Sequence, residues 1–280
     1  MILFRGKIDR IYFPRRAAEF RRERSYCQLK SEKHRTFSVI RLHRDIASSK
    51  TAFISDLHYQ ERRYHERIID NICRFLAEEK CDTLVFGGDC CGDACFLDQL
   101  PEVLKKFSRC APKRFAVPGN WELGKSWITL DRWREIYAAG GVELLCDSSF
   151  CSGNLFLGGL SDCRKSEVLP HIPEVDPAFD GMKLLISHNV DSALAAADYE
   201  QLANYDLVLC GHNHGGQMRL PGVGTLLSGS IYGRKFDYGL YGKKDGSKPE
   251  IFISSGVGEG VIPFRIGCRR EVVIIDRSAT

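Results

Sequence analysis

Seven residues of metal-ligand type follow short apolar runs in this chain. The runs TAFIS, TLVFGG, RFAVPG, KLLIS and LVLCG are followed directly by Asp56, Asp89, Asn120, His188 and His212. His58 lies two residues after Asp56, and His214 lies two residues after His212. Imidazole and carboxylate groups suit manganese, iron or zinc. Two such ions about 3.5–4 Å apart clamp the oxygens of a phosphoryl group during hydrolysis. The pattern therefore predicts a two-metal hydrolytic site.

Each residue alone has a simpler explanation. An Asp after a strand is most often a helix N-cap, and an Asn in a PGN segment is most often a turn residue. A single His at a strand end is more often a hydrogen-bonded structural residue than a ligand. Five such strand ends in one chain are improbable as coincidence, and the spacing in DLH and HNH keeps the paired side chains on one face of an extended segment.

The apolar runs predict the elements that position these residues. Nearly continuous apolar strands that alternate with amphipathic helices, here around 64–79 and 97–109, are typical of parallel strands covered by helices. Sites in such sheets form beyond the carboxyl ends of the strands. After residue 140 short strands predominate, at 142–145, 154–158, 223–227, 250–254 and 271–276. We expect them to form a second sheet, giving an α/β fold that is a four-layer αββα sandwich of two mixed sheets flanked by helices.

Composition suggests a cytoplasmic protein. The longest apolar runs fall short of the roughly 18 residues that a membrane-spanning helix needs. The N-terminal stretch is broken by Arg5 and Lys7 and does not resemble a secretory signal. Twelve cysteines without paired CxxC motifs are expected to be reduced thiols, with Cys90 and Cys91 as small packing residues.

Charge divides the chain near residue 45. Residues 1–45 contain 13 Lys/Arg against 5 Asp/Glu, whereas residues 46–280 contain 27 against 31. We expect a basic amphipathic arm at 1–45 and a catalytic domain at 46–280. Two interpretations of the arm stay open. In the first, the arm binds an anionic membrane, which would place the protein peripherally on the inner face of the cell membrane. In the second, the arm packs on its own domain. A nucleic-acid partner is not expected, because the body has no matching basic run.

Within this arm, apolar residues recur at helical spacing among cations. Phe13, Ala17, Phe20 and Cys27 form one predicted helical face, and Arg15, Arg16, Arg21 and Arg22 occupy the others. Earlier in the chain, Phe4, Ile8, Ile11 and Tyr12 form a similar face.

The order of motifs resembles the calcineurin-like metallophosphoesterases. These motifs are DLH (56–58), GGD (87–89), GNWE (119–122), SHN (187–189) and GHNHGGQ (211–217). The segments GHNHGGQMRLPG and FISSGVGEGVIPFRIG resemble a bacterial branch of the family. That branch includes membrane-associated phosphodiesterases and a UDP-2,3-diacylglucosamine pyrophosphatase of lipid A synthesis.

The resemblance implies the grouping of the ligands. One divalent ion would be held by Asp56, His58, Asp89 and His214, and the other by Asp89, Asn120, His188 and His212. Asp89 would bridge the two ions, with manganese expected ahead of iron or zinc. The ions would stabilise charge on the phosphoryl oxygens and lower the pKa of a bridging water, which would be the nucleophile.

The chain departs from the family at one motif. The family usually has GNHD where this chain has Gly119, Asn120, Trp121 and Glu122. The missing His normally stands beside the leaving oxygen, and an indole N–H cannot release a proton in its place. His65 is a candidate replacement acid or a surface residue. Trp121, Glu122, His65, Arg164 and Arg234 are candidate substrate contacts, with a solvated surface as the alternative for the two arginines.

Three functions follow from these residues. The first is hydrolysis of a phosphoanhydride or phosphodiester in a lipid-linked nucleotide, with UDP-2,3-diacylglucosamine cleaved to UMP and a lipid 1-phosphate. The second is broad phosphodiesterase or phosphatase activity. The third is an inactive metal-binding scaffold, which the presence of all seven ligands disfavours.

Overall fold

The computed structural model describes residues 13–23, 31–165, 168–226, 228–260 and 262–277. Two seven-stranded sheets form its centre. Sheet I contains, in spatial order, β2 (Ser31–Lys33), β3 (Ser38–His43), β16 (Glu271–Asp276), β4 (Thr51–Ile54), β5 (Thr83–Phe86), β6 (Lys113–Ala116) and β7 (Glu143–Leu144). Sheet II contains β1 (Phe20–Arg22), β14 (Gly239–Lys243), β15 (Glu250–Ile253), β11 (Leu207–Cys210), β10 (Met182–Ser187), β9 (Leu155–Gly159) and β8 (Ser148–Ser152).

The helices and one hairpin complete the described elements. The α-helices are α1 (Pro14–Ala18), α2 (Arg63–Glu79), α3 (Leu100–Lys105), α4 (Asn120–Leu123), α5 (Leu130–Ala139) and α6 (Val190–Ala195). The separate hairpin pairs β12 (Arg219–Leu220) with β13 (Gly224–Thr225). Across the described ranges, no helix combines the length and apolar character needed to cross a bilayer.

Alternation along the strands builds the layers. Successive strand residues point to opposite faces, so Phe53 of β4 packs between the sheets, in a cluster that includes Leu184 and Leu209 of sheet II. Its neighbour Ala52 faces the other way, in a cluster with Ile72 of α2. A third cluster covers the outer face of sheet II and includes residues of α1 and α6. The structure is therefore the mixed α/β sandwich with flanking helices that the sequence predicts.

The parallel strands also follow the predicted pattern. In sheet I, β4, β5, β6 and β7 run parallel, and in sheet II, β9, β10, β11 and β15 do the same. The predicted helix at 64–79 is α2, whose Ile69, Ile72 and Leu76 are buried on one face. The segment predicted as one helix at 97–109 is α3 between two 3₁₀ turns at 94–99 and 106–109.

The assignment of strands to sheets differs from the prediction in two ways. The five strands that precede the candidate ligands are divided between the sheets, with β4, β5 and β6 in sheet I and β10 and β11 in sheet II. Two of the late strands that were expected in the second sheet, β7 and β16, lie in sheet I. Residues 224–225 form β13, which pairs with β12 in the separate hairpin. β16 lies between β3 and β4 in the centre of sheet I, and this position buries both of its faces. Sequence order alone does not distinguish such a strand from one in the neighbouring sheet.

The described part of the basic arm is built into the same two sheets. The predicted helical face is only partly present, because the helix ends at Ala18 and Phe20 begins strand β1, which pairs with β14. Arg16 donates hydrogen bonds to the carbonyl oxygens of Leu194 and Ala196 at 2.9 and 3.1 Å. Cys27 and the predicted face at 4–12 lie outside the described residues. The boundary near residue 45 stays a prediction, and the strands between 20 and 43 pair with later ones.

Candidate metal centre

The first cluster of candidate ligands combines the end of β4 with the loop after β11. His58 Nε2 lies 3.2 Å from His214 Nε2, and Asp56 Oδ1 lies 3.6 Å from the same His214 atom. Asp56 and His58 are buried. One ligand atom from each of the three residues lies within 4.8 Å of the other two, a spacing that one cation can span.

The second cluster lies where β5, β10 and β11 end. His188 Nε2 is 3.2 Å from His212 Nδ1 and 3.1 Å from Asn120 Oδ1. Asp89 Oδ2 is 3.3 Å from His188 Nε2. Ligand atoms of Asp89, His188 and His212 lie within 4.8 Å of one another. The second set thus contains one carboxylate, two imidazoles and an amide oxygen.

Asp89 lies between the two clusters. Its Oδ2 atom is 3.6 Å from His58 Nε2 of the first cluster and 3.3 Å from His188 Nε2 of the second. A carboxylate at this point is within reach of both groups of donors. The structure therefore gives Asp89 the position that a bridging ligand requires.

The two sheets are joined by hydrogen bonds within the site. Asp56 Oδ2 accepts a hydrogen bond of 2.6 Å from Ser55 Oγ and one of 2.9 Å from the backbone N–H of His212. The His188 ring, through Nδ1, lies 2.8 Å from the carbonyl oxygen of Gly87. When Nδ1 donates to that oxygen, Nε2 is left free to bind a metal ion. The contact of Asp56 with His212 and that of His188 with Gly87 each connect the sheet I edge to the sheet II edge, whereas Ser55 orients Asp56 from within the sheet I edge.

Five of the candidate ligands have left-handed backbone conformations. The φ angles are 56° at Asp56, 42° at His58, 52° at Asp89, 67° at His212 and 49° at His214. Non-glycine residues in this region cost of order 1–3 kcal/mol each, and such strain persists only where the surroundings enforce it. Its concentration at one place is typical of a functional site.

Two glycines of the motifs are needed because the site is crowded. A Cβ atom on Gly119 would lie 2.1 Å from Asp89 Oδ1, and one on Gly211 would lie 1.7 Å from Ser55 Oγ. Contacts below 3.0 Å require the neighbouring groups to move. The Gly before Asn120 therefore leaves room for Asp89 within the sheet I edge, and the Gly before His212 allows the end of β11 in sheet II to approach the end of β4 in sheet I.

Burial and charge oppose each other at the ligands. Burial lowers the pKa of His188, but the Asp89 carboxylate and its hydrogen bond outweigh burial and raise the pKa to about 10. For Asp89, burial raises the pKa, but the charge and hydrogen bond of His188, the charge of His58 and the backbone N–H of Trp121 together outweigh burial and leave the pKa below its usual range. Burial lowers the pKa of His212 and of His214, so both are neutral imidazoles. The donor set of carboxylates, neutral imidazoles and an amide oxygen fits divalent transition metals.

Glu122 faces inward and holds the loop that carries Asp89. The side chain is fully buried and accepts hydrogen bonds from the backbone N–H groups of Asp89, Cys90 and Gly119 at 2.9, 2.8 and 2.8 Å, and from Tyr137 Oη at 3.1 Å. Burial, and then the charge of Asp89, raise the pKa of Glu122. The expectation that Glu122 contacts substrate is wrong, because its buried carboxylate accepts hydrogen bonds from the protein backbone.

Trp121 lies beside the first cluster. Its backbone N–H donates to Asp89 Oδ1 at 2.8 Å, and its indole ring meets the His58 ring edge to face at 5.3 Å between centroids. Lys125 Nζ lies 5.0 Å from the indole centroid. Trp121 is partly exposed, so its ring forms part of the wall next to His58.

His65 is buried at the start of α2. Its Nδ1 atom lies 3.0 Å from the carbonyl oxygen of Gln60, and its Nε2 atom lies 3.4 Å from Glu259 Oε2. Because His65 is buried, the alternative that it is a surface residue is wrong, whereas its role as a replacement acid stays a prediction. His65 connects the start of α2 to the loop that contains Glu259.

The two candidate arginines differ in position. Arg164 Nη1 lies 2.8 Å from His212 Nε2, donates to the carbonyl oxygen of Gly229, and lies 3.5 Å from the buried Asp191 carboxylate. A cation is thus placed at the edge of the second cluster. Arg234 is exposed, and its guanidinium group lies against Gly224 of the hairpin turn.

Sequence reasoning missed Arg265. Its Nη2 atom lies 3.4 Å from His214 Nδ1, and its Nη1 atom donates to the carbonyl oxygen of Ser255 at 2.8 Å. Arg265 lies in the FRIG segment near the chain end, where only its place in the tail motif could have indicated it. Gln217 was missed as well, and it accepts a hydrogen bond of 3.1 Å from the backbone N–H of Gly260.

Sequence comparisons agree with this geometry. A model of the calcineurin-like phosphoesterase superfamily domain matches residues 50–239. The chain is 28% identical over 240 residues to the phosphodiesterase YaeI of Escherichia coli, a match that covers 82% of each chain. It is 26% identical over 218 residues to YkuE of Bacillus subtilis, an uncharacterized metallophosphoesterase, over 73% of this chain and 71% of the other.

A solved structure is also similar. A dimetal phosphatase from Danio rerio matches at 14% sequence identity with a TM-score of 0.44, over 75% of this chain and 88% of that chain.

Proposed function

Because the chain belongs to the calcineurin-like phosphoesterase superfamily and is a metal-dependent phosphohydrolase, we propose that it cleaves a phosphoanhydride in a lipid-linked nucleotide. The first candidate substrate is UDP-2,3-diacylglucosamine, with UMP and a lipid 1-phosphate as products. The position of Asp89 between two imidazole clusters supports two-metal hydrolysis. The substitution at Trp121 supports the choice of bond.

The seven candidate ligands would hold the two ions in the predicted grouping. Asp56, His58 and His214 would hold one, Asn120, His188 and His212 would hold the other, and Asp89 would contact both. When bound, two divalent ions supply Lewis acidity toward the phosphoryl oxygens and lower the pKa of water. Manganese is proposed first, with iron and zinc compatible with the same donors.

The residues around the ligands fix their geometry. The Glu122 carboxylate holds the backbone of Asp89, and the N–H of Trp121 orients the Asp89 carboxylate through Oδ1. Asp56 is held in turn by Ser55 and by the backbone of His212. Preorganised donors of this kind lower the barrier because they need no rearrangement when charge develops.

The choice of a phosphoanhydride depends on the leaving group. Trp121 occupies the position where the family usually has a His, and an indole N–H does not release a proton. His65 is buried against Gln60 and Glu259. A departing phosphate monoester has a second pKa of about 6 and leaves as a stable anion, so it has little need of an acid. The Arg164 guanidinium at the edge of the second cluster would bind a second phosphate.

A second candidate is broad phosphodiesterase activity without preference for a lipid. The name of the Escherichia coli relative, a phosphodiesterase, favours it. An inactive scaffold is the weaker alternative, because a scaffold has no need of donors for two ions.

One assay separates these candidates. The purified protein with manganese is incubated with UDP-2,3-diacylglucosamine and with bis(p-nitrophenyl) phosphate, each with and without chelator. We expect chelator-sensitive release of UMP at a higher kcat/KM than that for the aryl diester. Equal or faster turnover of the aryl diester would favour the broad phosphodiesterase, and no turnover of either would favour the scaffold.

A further inference from the structure

An apolar surface lies next to the candidate metal centre. Five of its side chains are between 42 and 50% exposed, which is unusual for large apolar residues clustered in one region: Leu220, Val223, Leu226, Phe264 and Ile266. We call these five residues the rim surface. They come from the β12–β13 hairpin and from the segment that follows residue 262.

Strand register places most of these side chains on one face. Leu220 pairs with Gly224 in the hairpin, and the N–H of Leu226 donates to the carbonyl oxygen of Met218 at 3.0 Å. Met218 also forms a parallel bridge with Ile266. Paired residues share a face, as do residues two apart on one strand. Leu220, Leu226 and Ile266 therefore point the same way, Val223 lies in the turn, and Phe264 is two residues before Ile266.

The opposite face points into the protein. Thr225 is 1% exposed, and Arg219 Nη1 donates to Asp237 Oδ2 at 3.0 Å. Arg265, which lies between Phe264 and Ile266, reaches inward to within 3.4 Å of His214 Nδ1. Arg265 therefore connects the segment that carries Phe264 and Ile266 of the rim surface to a candidate metal ligand.

The charges around the rim surface are of one sign. The sequence has no Asp or Glu between Gly211 and Phe236, and none between Gly260 and Arg270. Arg234 and Lys235 are exposed and form no ion pair with any residue of the described ranges. Arg234 lies against Gly224 of the hairpin. The surface is therefore apolar at its centre and cationic at one edge.

We propose that the rim surface docks on an anionic phospholipid bilayer and brings the metal centre to the level of the head groups. The apolar side chains would enter the boundary of the acyl chains, while Arg234 and Lys235 would meet anionic head groups. This proposal rests on the proposed function, since a lipid-linked substrate has to be reached at the membrane. It also explains why apolar side chains remain exposed beside a polar site.

Vesicle binding of the full chain tests the proposal. The double variant Leu220→Asp/Leu226→Asp is compared with the parent for sedimentation with vesicles of phosphatidylglycerol and phosphatidylcholine, and with vesicles of phosphatidylcholine alone. We expect the parent to prefer the anionic vesicles and the variant to bind them at least about tenfold more weakly. The control variant Ile46→Asp, at a residue that is 40% exposed elsewhere, should bind like the parent.

Three further readouts keep the outcomes distinct. Turnover of bis(p-nitrophenyl) phosphate by the parent tests the proposed function without a membrane, and similar turnover by the double variant shows that it is folded. Arg234→Gln/Lys235→Gln should reduce the preference for anionic vesicles. Sedimentation velocity reports self-association. No vesicle binding by the parent, equal binding by the double variant, or a parent dimer that the double variant dissolves would overturn the docking proposal.

Discussion

Glu122 Oε2 accepts a hydrogen bond of 2.9 Å from the backbone N–H of Asp89, and the two residues are buried together at the end of β5. Through this contact a residue of the GNWE motif fixes the residue that lies between the two ligand clusters. The left-handed backbone of Asp89, with φ of 52°, is held in part by this carboxylate. Glu122 is thus a positioning residue for the proposed bridging ligand.

Glu122→Gln should weaken both metal binding and folding. An amide presents N–H donors where the backbone needs an acceptor, so at least one buried N–H loses its partner. An unsatisfied buried group costs about 1–3 kcal/mol of the free energy of unfolding. The matched control Tyr137→Phe removes one hydrogen bond to Glu122 and should cost about 1 kcal/mol. Denaturant unfolding and manganese titration measure the two effects. Parental metal affinity in Glu122→Gln would refute the positioning role.

Metal binding should release a proton. In the metal-free protein, the Asp89 carboxylate raises the pKa of His188 to about 10, above the unfolded value of about 6.5. The stability from this pair is therefore complete below pH 6.5 and is lost as the pH rises toward 10. A metal ion requires the neutral imidazole. The apparent affinity should rise about tenfold for each pH unit between 7 and 9.

Calorimetry at pH 7.5 in two buffers of different ionisation enthalpy measures this proton. We expect about one proton released per His188 site filled. A metal affinity that is independent of pH, with no proton release, would show that His188 is neutral before the metal binds.

Trp121 should make the rate sensitive to the leaving group. General acid catalysis typically contributes about 10²–10⁴-fold, and an enzyme without an acid loses that factor for basic leaving groups. Across aryl and alkyl diesters of graded leaving-group pKa, turnover should fall steeply as basicity rises. Trp121→His should flatten the dependence. A shallow dependence in the parent would show that another group supplies the proton.

His65→Ala should change stability and leave this dependence unaltered. His65 is buried between Gln60 and Glu259, so its loss should cost about 1–3 kcal/mol of the free energy of unfolding. The control His171→Ala removes a side chain that is 60% exposed, and its effect should be smaller. If His65→Ala made a shallow leaving-group dependence steep, His65 would be the acid after all.

The sequence predicted the fold class and the strand ends because both follow from local patterns. Apolar runs that end in Asp89 or His188 identify strands and their carboxyl ends without knowledge of the partner strands. The division of those strands between two sheets depends on long-range pairing. β16 is an example of this dependence, because its sequence EVVIID is compatible with a buried strand in either sheet.

The contacts that hold the candidate site could not be predicted from spacing. The direction in which Glu122 points depends on backbone N–H groups of a loop 33 residues earlier in the chain. Arg265 reaches His214 from a segment 51 residues later. The left-handed conformations of Asp56, Asp89 and His212 arise where two sheet edges meet. A glycine in the sequence would indicate a positive φ angle, whereas an Asp or a His does not.

The two-metal centre depends most directly on Asp89, so the metal content of Asp89→Ala tests it best. The purified variant and the parent are loaded with manganese, and bound metal per chain is measured by mass spectrometry together with turnover of bis(p-nitrophenyl) phosphate. Asp93→Ala, in which an exposed carboxylate nearby is removed, is the control. Two ions and full activity are expected in the parent and the control, whereas Asp89→Ala should lose metal and show no detectable turnover. Two bound ions with near-parental turnover in Asp89→Ala would contradict the two-metal centre.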